Sequence, residues 1–448
     1  MSSRGGVEDD NQVRAALDWL RSVATPELHL EPRMRIARDY YRVGSVPDGS
    51  NWPETSRLVL PGDPIASYLA QADSLLHDWR TYDLALGARI IPFLHHVGKT
   101  IDFLATMPGG VERARRLLKP KNEHPNATLY ELAVAGRYAH EGYDVQFVPE
   151  SSVRTGDLRV KVEGLNKDVQ VECKRLRSSR YELRETANVR ALFEPLSQLI
   201  HEKRLNIHVD LRFTSELPIV PRNYLVTHVM RALESPFSLF DGYPWKDEYG
   251  EGVVRRAQLD RVHDDIRDTY LLYGPKMARL LTGRVVPEGG FLMSADASPS
   301  IEDPRYVDTV RYASVLTWQC SAPESIEARA RHILSKLNEI DRQLKGADMG
   351  IAHIGMEVER DTETADLRHA RNLAAVRSFR PASRLLEVHL HYYLPHVTET
   401  AAWTMDETID SNSVLPMRLL ADARIFFGAK EIDEEGPAWR LPPPHPPT

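Results

Sequence analysis

The chain has 448 residues, 42% hydrophobic and 27% charged, with a net charge of −7. That apolar content is ordinary for a globular protein of roughly two to four domains, so a disordered chain, a collagen-like chain and a disulfide scaffold are excluded. No run of about 18 or more apolar residues occurs, so no membrane partner is expected, and 57 basic against 64 acidic residues argue against an all-over basic nucleic-acid coat.

The N-terminus, Met1 to Asp10, is polar and acidic without an apolar stretch, so no secretory signal is expected. Up to about residue 123 the pattern is helical. Asp63-Pro64 makes a good helix start, and helical apolar spacing follows from Ile65 to Trp79. A second helical stretch, Tyr82 to Met107, stops before Pro108-Gly109-Gly110.

The middle changes character. Asn126 can cap a helix from about Ala127 to Glu141, ended by Gly142. Three strand-like runs follow, Tyr143–Val148, Asp157–Val162 and Val169–Lys174, then a helix from Thr186 to Arg204 and a strand from Asn206 to Phe213. Beyond residue 216 a helix at Ile326–Leu344, a strand at Gly350–Val358, a helix at Ala365–Phe379 and strands at Arg384–Leu394 and Ala401–Ile409 read as a second α/β unit or an extension of the first sheet. The expected organisation is therefore a mixed α/β (α+β) chain. It has a helical region over 1–123, a core over 124–215, a C-terminal α/β region over 216–436 and a proline-rich tail over 437–448. The only cysteines, Cys173 and Cys320, cannot build a disulfide framework or a four-cysteine zinc site; they fit a reducing, cytoplasmic location.

Alternation in the middle strands carries the chemistry. Leu158, Val160 and Val162 point one way, and Asp157, Arg159 and Lys161 the other. Val169, Val171 and Cys173 form an apolar face, with Gln170, Glu172 and Lys174 opposite. Paired as a hairpin, the two strands bring Asp157, Glu172 and Lys174 onto one polar surface. Two carboxylates there suit a hard divalent cation such as Mg²⁺, with Mn²⁺ as a substitute, and the lysine can orient a water or neutralise developing phosphate charge.

Gly156-Asp157 followed by Glu172-Cys173-Lys174, with Glu131 in the preceding helix, resembles the PD-(D/E)xK nuclease superfamily, the restriction-endonuclease-like fold. The helix, three strands, helix, strand order over about 126–213 matches that family's core; the family's proline is replaced by Gly156. The resemblance implies that Asp157 and Glu172 bind metal, with the backbone carbonyl of Cys173 as a further ligand. It also implies that Lys174 positions the attacking water and that Glu131 assists. The expected function is a Mg²⁺-dependent endonuclease acting on DNA, with RNA left open, in defence against foreign DNA. The alternative is an inactive nuclease fold that binds nucleic acid or scaffolds an assembly. A homodimer or a regulatory partner fits either.

Around the hairpin the charge reverses. From Ser151 to Arg190 ten basic residues face six acidic ones, and Arg175, Arg177 and Arg180, directly after the motif, could track a phosphate backbone. Other matches fail. Gly98-Lys99-Thr100 lacks the preceding strand and first glycine of a P-loop, and His140-Glu141 and His201-Glu202 each lack the second histidine of a zinc motif. Gln198, on the helix after the motif, could face the site but reads rather as a surface glutamine. His389 and His391 share a face of a strand and could bind metal or assist catalysis, but the strand reads as a plain half-exposed one.

Overall fold

The computed structural model describes residues 2–6, 11–43, 63–77, 82–120, 122, 125–149, 155–162, 167–176, 180–234, 238–266, 275–284, 286, 290–299, 307–358, 362–396, 403–413, 419–426, 430–431 and 436–440. Among these it is a mixed α/β protein with fourteen α-helices and two mixed sheets.

The N-terminal part holds strand β1 (Ser2–Gly6) and helices α1 (Asn11–Val23), α2 (Leu30–Val43), α3 (Pro64–His77), α4 (Leu84–Lys99), α5 (Ile101–Thr106) and α6 (Gly110–Leu117). The middle holds α7 (Pro125–His140), β2 (Asp144–Phe147), β3 (Leu158–Lys161), β4 (Val169–Arg175), α8 (Arg180–Lys203) and β5 (Ile207–Phe213). Then come α9 (Tyr224–Glu234), α10 (Ser238–Asp241), β6 (Tyr243–Lys246), β7 (Gly250–Arg256), α11 (Leu259–Asp265), α12 (Pro275–Thr282), β8 (Phe291–Pro299) and β9 (Val307–Cys320). The C-terminal part is α13 (Pro323–Gln343), β10 (Met349–Glu357), α14 (Thr362–Ser378), β11 (Leu385–His396), β12 (Thr404–Ser413) and β13 (Lys430–Glu431).

The larger sheet runs β13-β1-β12-β11-β10-β4-β3-β2 and the smaller β6-β7-β5-β9-β8. β2, β3 and β4 form the expected antiparallel meander. The strand expected at Asn206–Phe213 as the last of the core over 124–215 pairs instead with β7 and β9 in the smaller sheet. The parallel neighbour of β4 is β10, from far along the chain, and β11 lies parallel to β10. A parallel strand needs a crossover and not a tight turn; here the crossover includes the whole smaller sheet and ends in α13. The expected core over 124–215 is therefore not closed by its own residues. The region 216–436 divides, β6 to β9 joining β5 and β10 to β13 extending the larger sheet. β1 also corrects the helical reading of 1–123, since it pairs with β12.

Side-chain alternation gives the larger sheet two covered faces. Val169, Val171, Cys173, Ile351 and Tyr393 pack with α1, α3, α4 and α7, whereas Ala352, Ile354, Met356, Val388, Leu390 and Tyr392 pack with α13 and α14. α7 is apolar nearly all round, so it is buried along its length. Gly142 ends it at φ +89°, the left-handed position that a helix C-terminus assigns to glycine. Gly98, from the rejected P-loop match, is a contact point between helices: a Cβ there would sit 1.8 Å from the Gln12 carbonyl oxygen. Ala438 and Trp439, within the tail expected from residue 437, are instead buried against α14 and β12. Among the described residues no helix is long and apolar enough to cross a membrane.

Candidate active site

The last paired position of β3 and β4 is Leu158 opposite Val171. One residue further, β3 has ended, and β4 would be left with an unpaired amide at its edge. Asp157 fills the gap: its Oδ2 accepts the Cys173 N–H at 2.9 Å. The same geometry sets Asp157 across from Glu172. Gly156, where the resembling family carries proline, passes close to β4, and a Cβ there would lie 3.1 Å from the Val171 carbonyl oxygen.

Glu172 is 0% exposed, and among the described residues neither of its oxygens has a hydrogen-bond partner. Lys174, two residues on and on the same face, brings Nζ to 2.6 Å from Glu172 Oε1, an ion pair off the geometry of a hydrogen bond, and to 3.2 Å from Glu339 Oε1 on α13. Lys336, one turn back along α13, holds the other Glu339 oxygen at 2.8 Å. Glu131, on α7, accepts from Arg113 Nη1 on α6 at 2.5 Å, both side chains being buried.

The electrostatics follow from burial and like charge. Burial and the neighbouring Asp157 push the Glu131 carboxyl up to about 7, against the pull of Arg113. Burial raises Asp157 despite its bond from the Cys173 amide. Glu172 is held well above the ordinary carboxylate range by burial first and by the charge of Asp157 second. Burial would lower Lys174, but Glu172 outweighs it and the ammonium holds its proton more tightly than an ordinary lysine. These are three acids that resist ionising together beside one cation that resists losing its proton.

The structure thus brings together Glu131, Asp157, Glu172 and Lys174. Cys173 takes part through its amide, and its thiol, in the α7 face, is pushed well up by burial. Among the described residues no three His, Cys, Asp or Glu side chains are grouped so as to hold a metal ion. The donors that fit a hard cation are the two oxygens of Glu172 together with Asp157, a two-carboxylate set.

The basic run is corrected at its first member. Arg175 alternates to the face opposite Lys174, where its side chain is 5% exposed; Nη2 donates to Glu357 at 2.9 Å and the guanidinium lies over the rings of Phe93 and Tyr393. It cannot track a phosphate backbone on the surface. Arg177 lies outside the described residues, as does the side chain of Arg180. Gln198 is exposed on α8, as read from the sequence.

His389 and His391 are not on a half-exposed strand; both are fully buried. They face α7 in the middle of the sheet, where Tyr138, His353, His391 and Glu407 are linked by contacts of 3.0, 2.9 and 2.8 Å. These contacts run as one chain from the Tyr138 hydroxyl through His353 and His391 to the Glu407 side chain. His353 and Glu407 went unremarked in the sequence; the alternation His389, His391 was the available signal, since two imidazoles on one face of a buried strand need polar partners. Arg113 and Glu339 had no signal, as they come from helices distant in sequence.

Compared with protein-family models and with curated protein sequences, the chain finds no match.

Proposed function

We propose that the chain is a divalent-metal-dependent nuclease of the PD-(D/E)xK kind that hydrolyses phosphodiester bonds, acting as an endonuclease on DNA. The observation that carries this is Glu172, a fully buried carboxylate whose oxygens have no hydrogen-bond partner among the described residues, with the Lys174 ammonium against it and the charge of Asp157 bearing on it. Lys174 offsets only part of the cost of keeping such a group ionised, since burial and Asp157 still hold Glu172 well above the ordinary carboxylate range, and a hard cation would relieve the rest. Mg²⁺ is held through one or two carboxylates while keeping several waters, so Asp157 and Glu172, with the Cys173 carbonyl, are the residues that would hold it or Mn²⁺. A bound cation would supply charge neutralisation at the scissile phosphate and a more acidic water. The succession α7, β2, β3, β4, α13, β10 also supports the proposal, being the family's helix and strand order with the smaller sheet as an excursion inside it.

The chain's own residues have separable tasks. Lys174 keeps its proton, so it serves as a donor: it orients the attacking water and offsets the charge that builds on the phosphate oxygens. The water oxygen bonds to phosphorus, the bond to the leaving sugar oxygen breaks, and Glu131, near 7, is the carboxyl matched to receive the water's proton at neutral pH. Defence against foreign DNA enters by fold analogy alone.

A second reading, the inactive scaffold, is favoured by one observation, the ion pair with Arg113 that already engages Glu131. Incubation with plasmid, linear and single-stranded DNA and with RNA, in Mg²⁺, Mn²⁺ or EDTA, separates the two. Cleavage that EDTA abolishes is the expected result. Binding without cleavage in every arm would establish the scaffold.

A further inference from the structure

On the face of β4 opposite Lys174, a cavity of about 50 Å³ opens at the C-terminal ends of β4 and β10. It is bounded by Tyr68 of α3, Arg89 and Phe93 of α4, Asn126 in the first turn of α7, Arg175 of β4 and Glu357 of β10. Two guanidiniums share one carboxylate there: Arg175 Nη2 donates to Glu357 Oε1 at 2.9 Å, and Arg89 Nε is 3.4 Å from Oε2. The cavity therefore carries one net positive charge.

Three features converge on an anion. Arg175 is nine-tenths buried, yet its Nη1 has no hydrogen-bond partner among the described residues, and an unpaired buried donor of a charged group is a standing cost. The aromatic rings of Phe93 and Tyr393 fix the guanidinium plane, at 5.5 and 4.8 Å, so little freedom remains to be lost on binding. The first turn of the sixteen-residue α7 contributes backbone N–H groups without intrahelical acceptors and the positive end of the helix dipole. Size narrows the ligand: at about 10–15 Å³ for each water, the space takes a few water-sized volumes, enough for one tetrahedral anion and too little for a nucleobase.

We propose that this cavity binds a compact oxyanion of the phosphate class, delivered as free inorganic phosphate or as the terminal phosphate of a nucleic acid. It goes beyond the nuclease function and does not depend on it, since neither cleavage nor a divalent cation is involved.

The test uses the full chain in EDTA at constant ionic strength. Wild-type protein is titrated with sodium phosphate, against sodium chloride as the control, by calorimetry and by thermal melting. Saturable binding with a rise in Tm that chloride does not reproduce is expected. Asn126→Asp adds a negative charge at the first turn of α7, where acidic residues favour the helix, so the fold is kept while phosphate affinity should drop about tenfold or more. Arg175→Gln combined with Glu357→Gln removes both buried charges together, avoiding a lone buried carboxylate, and should abolish saturable binding. Equal effects of phosphate and chloride on the wild type, or unaltered phosphate affinity in folded Asn126→Asp, would overturn the proposal. Anisotropy with 5′-phosphorylated and 5′-hydroxyl oligonucleotides of one sequence identifies the source: tighter binding of the phosphorylated strand, lost in Asn126→Asp, assigns the terminal phosphate, and equal binding alongside a positive phosphate titration assigns the free ion.

Discussion

At the scale of single residues, the proposed site sets its acids against each other, and the consequences can be measured. Lys174 is paired with Glu172 and Glu339 and is not itself a metal donor. Lys174→Ala should therefore lower turnover about 100-fold or more while leaving Mg²⁺ affinity, read by calorimetry, within a few-fold of wild type. Near-normal cleavage would remove it from the chemistry. Asp157→Asn deletes one charge at nearly constant volume, and its side-chain oxygen can still accept the Cys173 amide. It should abolish cleavage yet stabilise the metal-free protein, by on the order of 1 kcal/mol; Mg²⁺ should then raise the Tm of wild type much more than that of the variant. Four melting curves, each protein in EDTA and in Mg²⁺, decide this, and a lower Tm for the variant in EDTA would make Asp157 an ordinary structural aspartate. Glu131 gives the pH dependence. Burial moves its carboxyl from an ordinary 4.5 up to about 7, so between these values the folded chain binds more protons than the unfolded one. The stability this supplies is fully present below about 4.5 and is lost as pH rises through about 7. Urea unfolding of metal-free wild type should thus weaken across that window by on the order of 2 kcal/mol more than Glu131→Gln does; parallel pH profiles would place the titration elsewhere.

At the scale of elements, α7 and the meander were legible because each has a local signature. α7 begins at Pro125 and stops at Gly142, and its length was predicted to within about two residues of the observed bounds, the usual uncertainty at helix ends. β3 and β4 alternate cleanly, so Asp157, Glu172 and Lys174 could be assigned one surface from sequence alone. Alternation also said that Arg175 points away from Lys174, but a run of basic residues after a motif invited a single surface for all of them. The neighbour of β4 was not legible. β5 and β10 are both short apolar strands following a helix, and no local pattern distinguishes which one pairs with β4. The contact between α1 and α4 was hidden as well, since Gly98 carries no sign of its partner. Gly98→Ala would drive a methyl group into the Gln12 carbonyl and should destabilise the fold by on the order of 3 kcal/mol, measured by denaturant unfolding. A variant as stable as wild type would mean that the two helices separate at little cost.

At the scale of the whole molecule, the site lies where a local hairpin meets a strand contributed from far along the chain. Glu172 and Lys174 belong to the meander, but Glu339 arrives with α13, immediately before β10. Contacts of such sequence separation form slowly, because the closure entropy of the intervening chain comes first. In pulse-labelling hydrogen exchange during refolding, amides that pair β3 with β4 should gain protection before those that pair β4 with β10; simultaneous protection would indicate that both edges of β4 form in one step. The excursion that separates β4 from α13 also bears on how much this chain can be rebuilt. Its two ends are pinned by the larger sheet, and for a flexible connection each doubling of length costs only about 0.6 kcal/mol of closure entropy. The smaller sheet is thus a graft point. A different folded cargo with closely spaced termini, spliced in after β4 and before α13, would leave the acids and the lysine where they stand if it also replaced the packing of α8 on α13 and of α12 on α4.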